Sequence, residues 1–169
     1  MARSSLRLGT LATIVGTLTL VPNLFAAAPA SDTDKAFVAK VSQGGAYEVA
    51  ASKLAVTRAQ AMDVKDLALT EVHDHEGVGT RLKALAISTG APISPTLNAE
   101  FQARLEKLRS VPTTDFDAAY IADMEQIHDK DEKLFAAEAN EGSDAYKAFA
   151  HQTDLIVKRH IGALHGLDQ

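Results

Sequence analysis

The sequence predicts an all-α protein, a bundle of four long helices with one short extra helix in the connection between the second and the third. From Ser31 onward, apolar residues recur every three or four positions, as on one face of a helix, and not every second position as in a strand. Glycine and proline are confined to a few places between these segments. Helical periodicity and clear breaks together predict the fold class.

The first two long helices are predicted from their start and stop signals. Ser31 and Asp34 have the spacing of a capping box, in which each side chain bonds to the other residue's backbone N–H. The turn to the second helix is predicted near residues 58–62, although neither glycine nor proline marks it. Gly90, followed by Pro92, is the usual signal for the end of a helix.

The rest of the chain predicts a long connection and two more helices. Residues 91–114 hold a short helix between two prolines, with an apolar row made of Leu97, Phe101, Leu105 and Leu108. Thr114 and Asp117 repeat the capping-box spacing at the start of the third long helix. Gly142 ends that helix, and Ser143 is placed to cap the fourth.

Residues 1–30 are predicted to be a signal peptide. Two early arginines precede an uncharged run over residues 8–25, and Ala28-Pro29-Ala30 supplies small residues for cleavage before Ser31. A retained membrane anchor is the alternative, because the run approaches spanning length, but glycine and proline dilute it. Residues 31–169 are therefore expected to be the mature domain, exported to the periplasm or envelope, with no transmembrane segment.

Composition excludes several classes of function. The net charge is −5, and removal of the leader would make the chain more acidic, so nucleic acid is a poor partner. The chain has no cysteine, which excludes disulfides, thiolate catalysis and cysteine-ligated metals. The sequence also lacks a phosphate-binding glycine loop, a serine nucleophile elbow and a dinucleotide fingerprint. No catalytic residue or organic cofactor is predicted, and a protein without enzymatic activity is favoured.

Each long helix carries one polar residue in the middle of its apolar stripe. These residues are Glu48, His75, His128 and His160. If the connection over residues 91–114 runs the length of the bundle, as in ferritin-like bundles with one crossover, the four residues fall at nearly the same height. The sequence therefore predicts that they point into the interior and meet there.

Two interpretations of this Glu/His set stay open. Three imidazoles and a carboxylate suit one transition-metal ion, Zn, Cu, Ni or Fe. The alternative is a structural hydrogen-bonded network in the core. Neighbours that could form an outer shell are Glu71, Asp74, Glu125 and Asp131, among which Glu125 and His128 have the Glu-x-x-His spacing of di-iron bundles. The remaining histidines, His73, His151 and His165, are predicted to lie at the surface.

Several short motifs together resemble a known family: Phe37-Val38-Ala39-Lys40, Gly44-Gly45-Ala46-Tyr47-Glu48-Val49, Asp74-His75, the Tyr120/Met124/His128/Leu134-Phe135 pattern, and Lys147-Ala148-Phe149-Ala150 with His160. They resemble domain of unknown function 4142, which comprises exported bacterial proteins with a ferritin-like helical bundle, some labelled outer-membrane proteins. The resemblance implies a ferritin-like fold and a periplasmic or envelope location, and it implies no function.

The chain departs from the wider di-iron ferritin pattern. Val72 and Val157 stand where glutamates would precede His75 and His160, so a ferroxidase site looks incomplete. This leaves two hypotheses: a periplasmic protein that binds one metal, or a non-catalytic envelope or stress protein that acts through a protein partner. With one glutamate for three histidines, we expect two imidazoles to stay neutral and stability to fall as the pH drops toward about 5.

Overall fold

The computed structural model describes residues 28–94 and 96–167, and within them it contains helices and no strands. The long helices are α1 (Asp32–Arg58), α2 (Met62–Thr89), α4 (Phe116–Glu141) and α5 (Asp144–Leu167). The short helix α3 (Ala99–Ser110) and a 3-10 turn (Thr113–Asp115) lie between α2 and α4. The all-α prediction is confirmed. Of the predicted signal peptide, residues 1–27 lie outside the described residues.

Most of the predicted helix ends are found where the sequence placed them. Ser31 and Asp34 form the capping box, with the Asp34 N–H donating to Ser31 Oγ at 3.1 Å and the Ser31 N–H donating to Asp34 Oδ2 at 2.7 Å. Gly90 ends α2 in the left-handed conformation at φ 72°, which a glycine adopts without steric cost. Gly142 follows the last residue of α4.

The predicted capping box of Thr114 and Asp117 is wrong. A 3-10 turn precedes α4, and the residue before the helix makes no side-chain cap. The Asp117 carboxylate instead accepts hydrogen bonds from the backbone N–H groups of Gln60 at 3.0 Å and Ala61 at 2.8 Å. This carboxylate satisfies backbone donors at the start of α2, and it ties the beginning of α4 to the α1–α2 turn.

The four long helices pack as two antiparallel pairs. Helix α1 pairs with α2, and α4 pairs with α5; α1 also lies beside α4, and α2 beside α5. Asp117 places the start of α4 at the α1–α2 turn. At the other end, the Ser143 N–H donates to Asp34 Oδ1 at 2.9 Å, so the α4–α5 turn meets the start of α1. The connection through α3 therefore crosses the length of the bundle, along α1 and α4.

The interior consists of two apolar clusters with a polar layer between them. The cluster toward the α1–α2 turn includes Ala51, Ala55, Val64, Leu67, Phe116, Tyr120, Met124 and Leu164. The cluster toward the other end includes Phe37, Val41, Val78, Leu82, Phe135, Phe149 and Val157. Glu48, Glu71, His75, His128 and His160 are buried between the two. None of the helices over the described residues is long and apolar enough to cross a membrane.

Two acidic side chains, Asp34 at the start of α1 and Glu138 at the end of α4, lie beside the α4–α5 turn. Burial opposes the ionised form of Asp34, but hydrogen bonds from Ser143 and Ser31 outweigh it and lower the pKa of Asp34 to about 2. Burial and the neighbouring Asp34 raise the pKa of Glu138 to about 7. Glu138 is also packed against the turn, since a Cβ on Gly142 would lie 2.6 Å from Glu138 Oε1 and 2.9 Å from the Glu138 carbonyl oxygen.

We expect Gly142→Ala to destabilise the protein by about 1–3 kcal/mol, because the new methyl group would overlap the Glu138 backbone, which cannot move freely. The matched control is Gly162→Ala in the exposed interior of α5, where an added Cβ meets no atom within 4 Å. That control should gain up to about 1 kcal/mol from helix propensity. Urea denaturation measures both, and equal effects of the two substitutions would contradict the close packing of the turn.

Candidate metal centre

Three of the four long helices supply the candidate ligands in the polar layer, and the fourth, α1, supplies Glu48 beside them. Glu71 and His75 lie one turn apart on α2, His128 lies on α4 and His160 on α5. Their exposed fractions are 0, 5, 0 and 1 % respectively, and Glu48 on α1 is 1 % exposed beside them. The prediction that Glu48 and the three histidines point into the interior is confirmed.

One carboxylate oxygen, Glu71 Oε2, is the centre of this group. It lies 3.0 Å from His75 Nε2, 3.3 Å from His128 Nε2 and 3.0 Å from His160 Nδ1. Nε2 of His128 and Nδ1 of His160 are themselves 3.2 Å apart. Taken together, Glu71, His75, His128 and His160 each offer one ligand atom, and these atoms lie within 4.8 Å of one another.

The other nitrogen of each imidazole faces an acceptor. His160 Nε2 lies 2.9 Å from Asp74 Oδ2, His128 Nδ1 lies 2.8 Å from the carbonyl oxygen of Met124, and His75 Nδ1 lies 3.3 Å from Glu48 Oε2. A carbonyl oxygen can only accept, so His128 carries a proton on Nδ1. By the same argument, the carboxylates of Asp74 and Glu48 place protons on the outer nitrogens of their two rings. Outer acceptors of this kind orient histidines that ligate metals.

This arrangement leaves an excess of acceptors at the centre. With protons on the outer nitrogens, each neutral ring turns a lone pair toward Glu71 Oε2 and its neighbours. Nε2 of His75 and both carboxylate oxygens of Glu71 make no hydrogen bond of normal geometry, although all three atoms are buried. Buried polar atoms without partners are costly. A positive charge at the centre, carried by protons or by a metal ion, removes that cost.

The pKa values show what happens when protons supply this charge. Burial opposes the charged form of His128, but the hydrogen bond to Glu71 and the charges of Glu48 and Glu71 outweigh it and raise the pKa of His128 to about 9. The pKa of His75 is also raised, because Glu48 and Glu71 outweigh its burial. For Glu71, hydrogen bonds from the three histidines outweigh burial and lower the pKa of the carboxyl.

The expectation that stability falls as the pH drops toward 5 is therefore wrong for the protonated cluster. That expectation assumed that Glu48 was the one buried glutamate beside the three histidines. The second buried glutamate, Glu71, changes the balance, and the pKa values of His75 and His128 rise where neutral histidines were expected.

The residues predicted as an outer shell fall into different places. Glu71 is at the centre and not outside it, whereas Asp74 accepts from His160 as an outer partner. Asp131 lies beside Glu48, and burial and the Glu48 charge raise the pKa of Asp131 well above its ordinary range. Glu125 is half-buried and lines a separate surface pocket with Asp117. The side chains predicted to be at the surface, His73, His151 and His165, are exposed.

The sequence contained a signal for the central position of Glu71. Glu71 and His75 are four residues apart on the buried face of α2, and residues at this spacing are neighbours on a helix. The Glu-x-x-His spacing of di-iron bundles drew attention to Glu125, three residues before His128. In the structure, the glutamate nearest to the histidine rings is Glu71, which precedes His75 by four residues.

For the metal-free protein we expect the highest stability between about pH 5 and 6.5, with a loss as the pH rises toward 9. A histidine whose pKa rises from 6.5 in the unfolded chain to about 9 in the folded protein stabilises the fold below 6.5, and this contribution is lost as the pH passes the folded value. For His128 it amounts to roughly 3 kcal/mol. Glu71, whose pKa is lowered, stabilises the fold above about pH 4.5, and this contribution is lost as the pH falls further.

Thermal melts from pH 5 to 9 with a chelator measure this profile. His128→Gln should flatten it above pH 6.5, most clearly between pH 7 and 9. Glu138→Gln should change it only between about pH 4.5 and 7, the ordinary and the raised pKa values of Glu138. A wild-type melting temperature that rises between pH 6.5 and 9 would contradict the protonated cluster.

Comparison with known proteins agrees with the fold and names a family. A crystal structure of a DUF305 fragment from Deinococcus radiodurans superimposes with a TM-score of 0.73, at 17 % identity, over 82 % of this chain and 97 % of that one. At this identity the likeness concerns the fold alone. Among proteins of curated function, none matches the chain. The model of the family described as "Domain of unknown function (DUF4142)" matches residues 20–167, and the chain therefore belongs to that family.

Proposed function

We propose that this protein is an exported, ferritin-like four-helix bundle that binds one divalent transition-metal ion through Glu71, His75, His128 and His160. Glu48, Asp74 and the Met124 carbonyl oxygen would hold the outer nitrogens of the three rings. The observation that carries the proposal is the convergence of three imidazole nitrogens, at 3.0, 3.3 and 3.0 Å, on one carboxylate oxygen.

Four of the six distances between the donor atoms fit a metal. Bonds of 2.0–2.1 Å in a tetrahedral set place donor atoms about 3.3 Å apart. The distances from Glu71 Oε2 to the three ring nitrogens, and the 3.2 Å between the nitrogens of His128 and His160, are close to that value. An ion here would also supply the positive charge that the buried, unpaired atoms of Glu71 and His75 require.

The donor set limits the choice of metal. Three imidazoles and one carboxylate, without sulfur, suit Zn, Cu, Ni or Fe in their divalent states. Mg²⁺ and Ca²⁺ prefer oxygen ligands and would leave the nitrogens unused. A second metal has little support, because Val72 and Val157 stand where a di-iron site would need glutamates, and Glu125 lines a pocket away from the cluster.

A second candidate function is a non-catalytic envelope or stress protein in which the same cluster is only structural. It is favoured by the position of His128, whose Nε2 lies 3.3 Å from Glu71 Oε2 and 3.7 Å from Glu48 Oε1. These two carboxylates raise the pKa of His128 to about 9, so protons can satisfy the centre without any metal. In that case the protein acts through its surface and an envelope partner. Glu71→Gln would then weaken the fold without changing any metal content.

The periplasmic or envelope location is also a proposal. It is supported by the leader-like composition of residues 1–30.

We expect untagged protein that has been exposed to Zn²⁺, Cu²⁺, Ni²⁺ or Fe²⁺ to hold one equivalent of metal. Glu71→Gln should weaken the metal affinity at least about 10-fold, because it removes a ligand charge without changing the shape of the side chain. His73→Gln is the matched control, because His73 lies on the same helix and is exposed. Elemental analysis and equilibrium dialysis measure both. A folded wild type that takes up none of Zn²⁺, Cu²⁺, Ni²⁺ or Fe²⁺ would refute metal binding and favour the structural network.

A further inference from the structure

The Ser31 nitrogen is the atom that removal of the leader would convert into a charged N-terminus. Hydrolysis of the Ala30–Ser31 peptide bond gives Ala30 a carboxylate and Ser31 an α-ammonium group, with both hydrogens of one water molecule on the Ser31 nitrogen. That nitrogen lies 2.7 Å from Asp34 Oδ2. We propose that the α-ammonium group of the mature chain binds in the acidic site formed by Asp34 and Glu138, and that it ties the new N-terminus to the α4–α5 turn. The inference rests on the proposed export and is independent of metal binding.

The acidic site has two buried carboxyl groups and lacks a cation. Asp34 is 0 % exposed and Glu138 is 3 % exposed. Among the described residues, no lysine, arginine or histidine contributes to the electrostatic environment of either carboxyl. The carboxylate of Asp34 raises the pKa of Glu138 to about 7, so the two groups compete for one proton. Buried carboxylates are costly without a partner of opposite charge. An α-ammonium group on Ser31 supplies that charge.

The described geometry already holds the Ser31 nitrogen in place. Its N–H donates to Asp34 Oδ2, and the Asp34 N–H donates back to Ser31 Oγ at 3.1 Å. The other carboxylate oxygen, Asp34 Oδ1, accepts from the Ser143 N–H at 2.9 Å. Asp34 therefore needs no new position to bind the ammonium group. The dipole of α1 opposes a cation at this end of the helix, and the negative charge of Asp34 offsets it.

Cleavage also removes contacts that precede Ser31. The Ala30 N–H donates to the Thr89 carbonyl oxygen at 2.9 Å, and Ala30 is 6 % exposed. Both contacts leave with the leader. In the mature chain, the contacts of Ser31 with Asp34 then hold the first residue at the bundle.

The groups around the acidic site do not replace the missing cation. They are Asp32 and Lys35 on α1, Glu141 on α4, Tyr146 on α5 and the uncharged Thr89 on α2. Lys35 bonds to Asp32 at 2.9 Å, and the Asp32 side chain is fully exposed. Burial raises the pKa of Tyr146, which therefore stays neutral at neutral pH. The negative charge of Glu141 adds to the need for a cation.

Periodate is the probe for the test, because it oxidises the 1,2-amino alcohol of an N-terminal serine and reacts with the free amine only. The full-length chain is expressed in a bacterium that exports it, and the intact mass of the purified, metal-free protein should be that of residues 31–169. The oxidation rate is then measured from pH 6 to 10 beside a peptide of residues 31–40. An α-amino group in a peptide titrates near about 7.7–8.0. In the folded protein we expect the midpoint to rise by at least about one pH unit, which slows oxidation about 10-fold at pH 7.

Asp34→Asn should return the rate profile to that of the peptide. Glu138→Gln should shift the midpoint part of the way back, and it leaves the Ser31 cap intact. Asp32→Asn is the matched control, since it removes an exposed acid from the same helical turn and should leave the profile unchanged. Thermal melts confirm that the variants fold.

The possible failures are distinguishable. A protein that keeps its leader would refute the proposed export together with this inference. A processed chain that begins before Ser31, or a wild-type midpoint equal to that of the Asp34→Asn variant, would overturn this inference alone. Because the protein is metal-free, neither result depends on the metal-uptake experiment.

Discussion

The structure depends on how two carboxylates and three imidazoles are accommodated in one buried layer. An isolated charge among apolar side chains would cost many kcal/mol, and breaking a buried pair by removing one partner typically costs about 3–5 kcal/mol. Glu71 is surrounded by three ring nitrogens, and every ring has an acceptor on its far side. Two contacts lie within one helix, Glu71 with His75 on α2 and His128 with the Met124 carbonyl on α4, but the other partners come from different helices. The layer therefore fixes the height and rotation of the helices relative to one another.

The crossover makes this alignment possible. Helix α3 is held to α1 at both ends: Gln43 bonds to the Thr96 carbonyl and the Asn98 N–H, and Arg58 donates to the carbonyl oxygens of Arg109 and Val111. The chain thus returns to the α1–α2 turn before α4 begins. Helices α2 and α4 then run in the same direction, and His75 and His128 reach the same level.

Sequence reasoning recovered the features that depend on local chemistry. The Ser31 capping box, the glycine end of α2 and the inward orientation of Glu48 and the three histidines follow from spacing along one helix, and the structure has them. Sequence reasoning was less successful where the position of a side chain depends on how one helix is rotated relative to another. Periodicity identifies the buried face of α2, but it does not decide whether Glu71 or Glu48 lies closest to the ring nitrogens.

Two other differences have the same origin. Asp117 has the spacing of a cap within its own helix, but its carboxylate bonds to the α1–α2 turn, which is distant in sequence. The pH dependence was predicted with the wrong sign because the second buried carboxylate was assigned to the edge of the site. A single misplaced charge of this kind reverses the balance between burial and ion pairing.

The central claim is that three imidazoles and Glu71 share one ion, and X-ray absorption spectroscopy of the metal-loaded protein tests it most directly. For Zn²⁺ the account predicts a first coordination shell of nitrogen and oxygen at about 2.0–2.1 Å, with the outer-ring scattering of three histidines. His160→Gln should reduce that scattering from three rings to two. An ion surrounded only by oxygen, or a spectrum that the His160 substitution leaves unchanged, would contradict the claim.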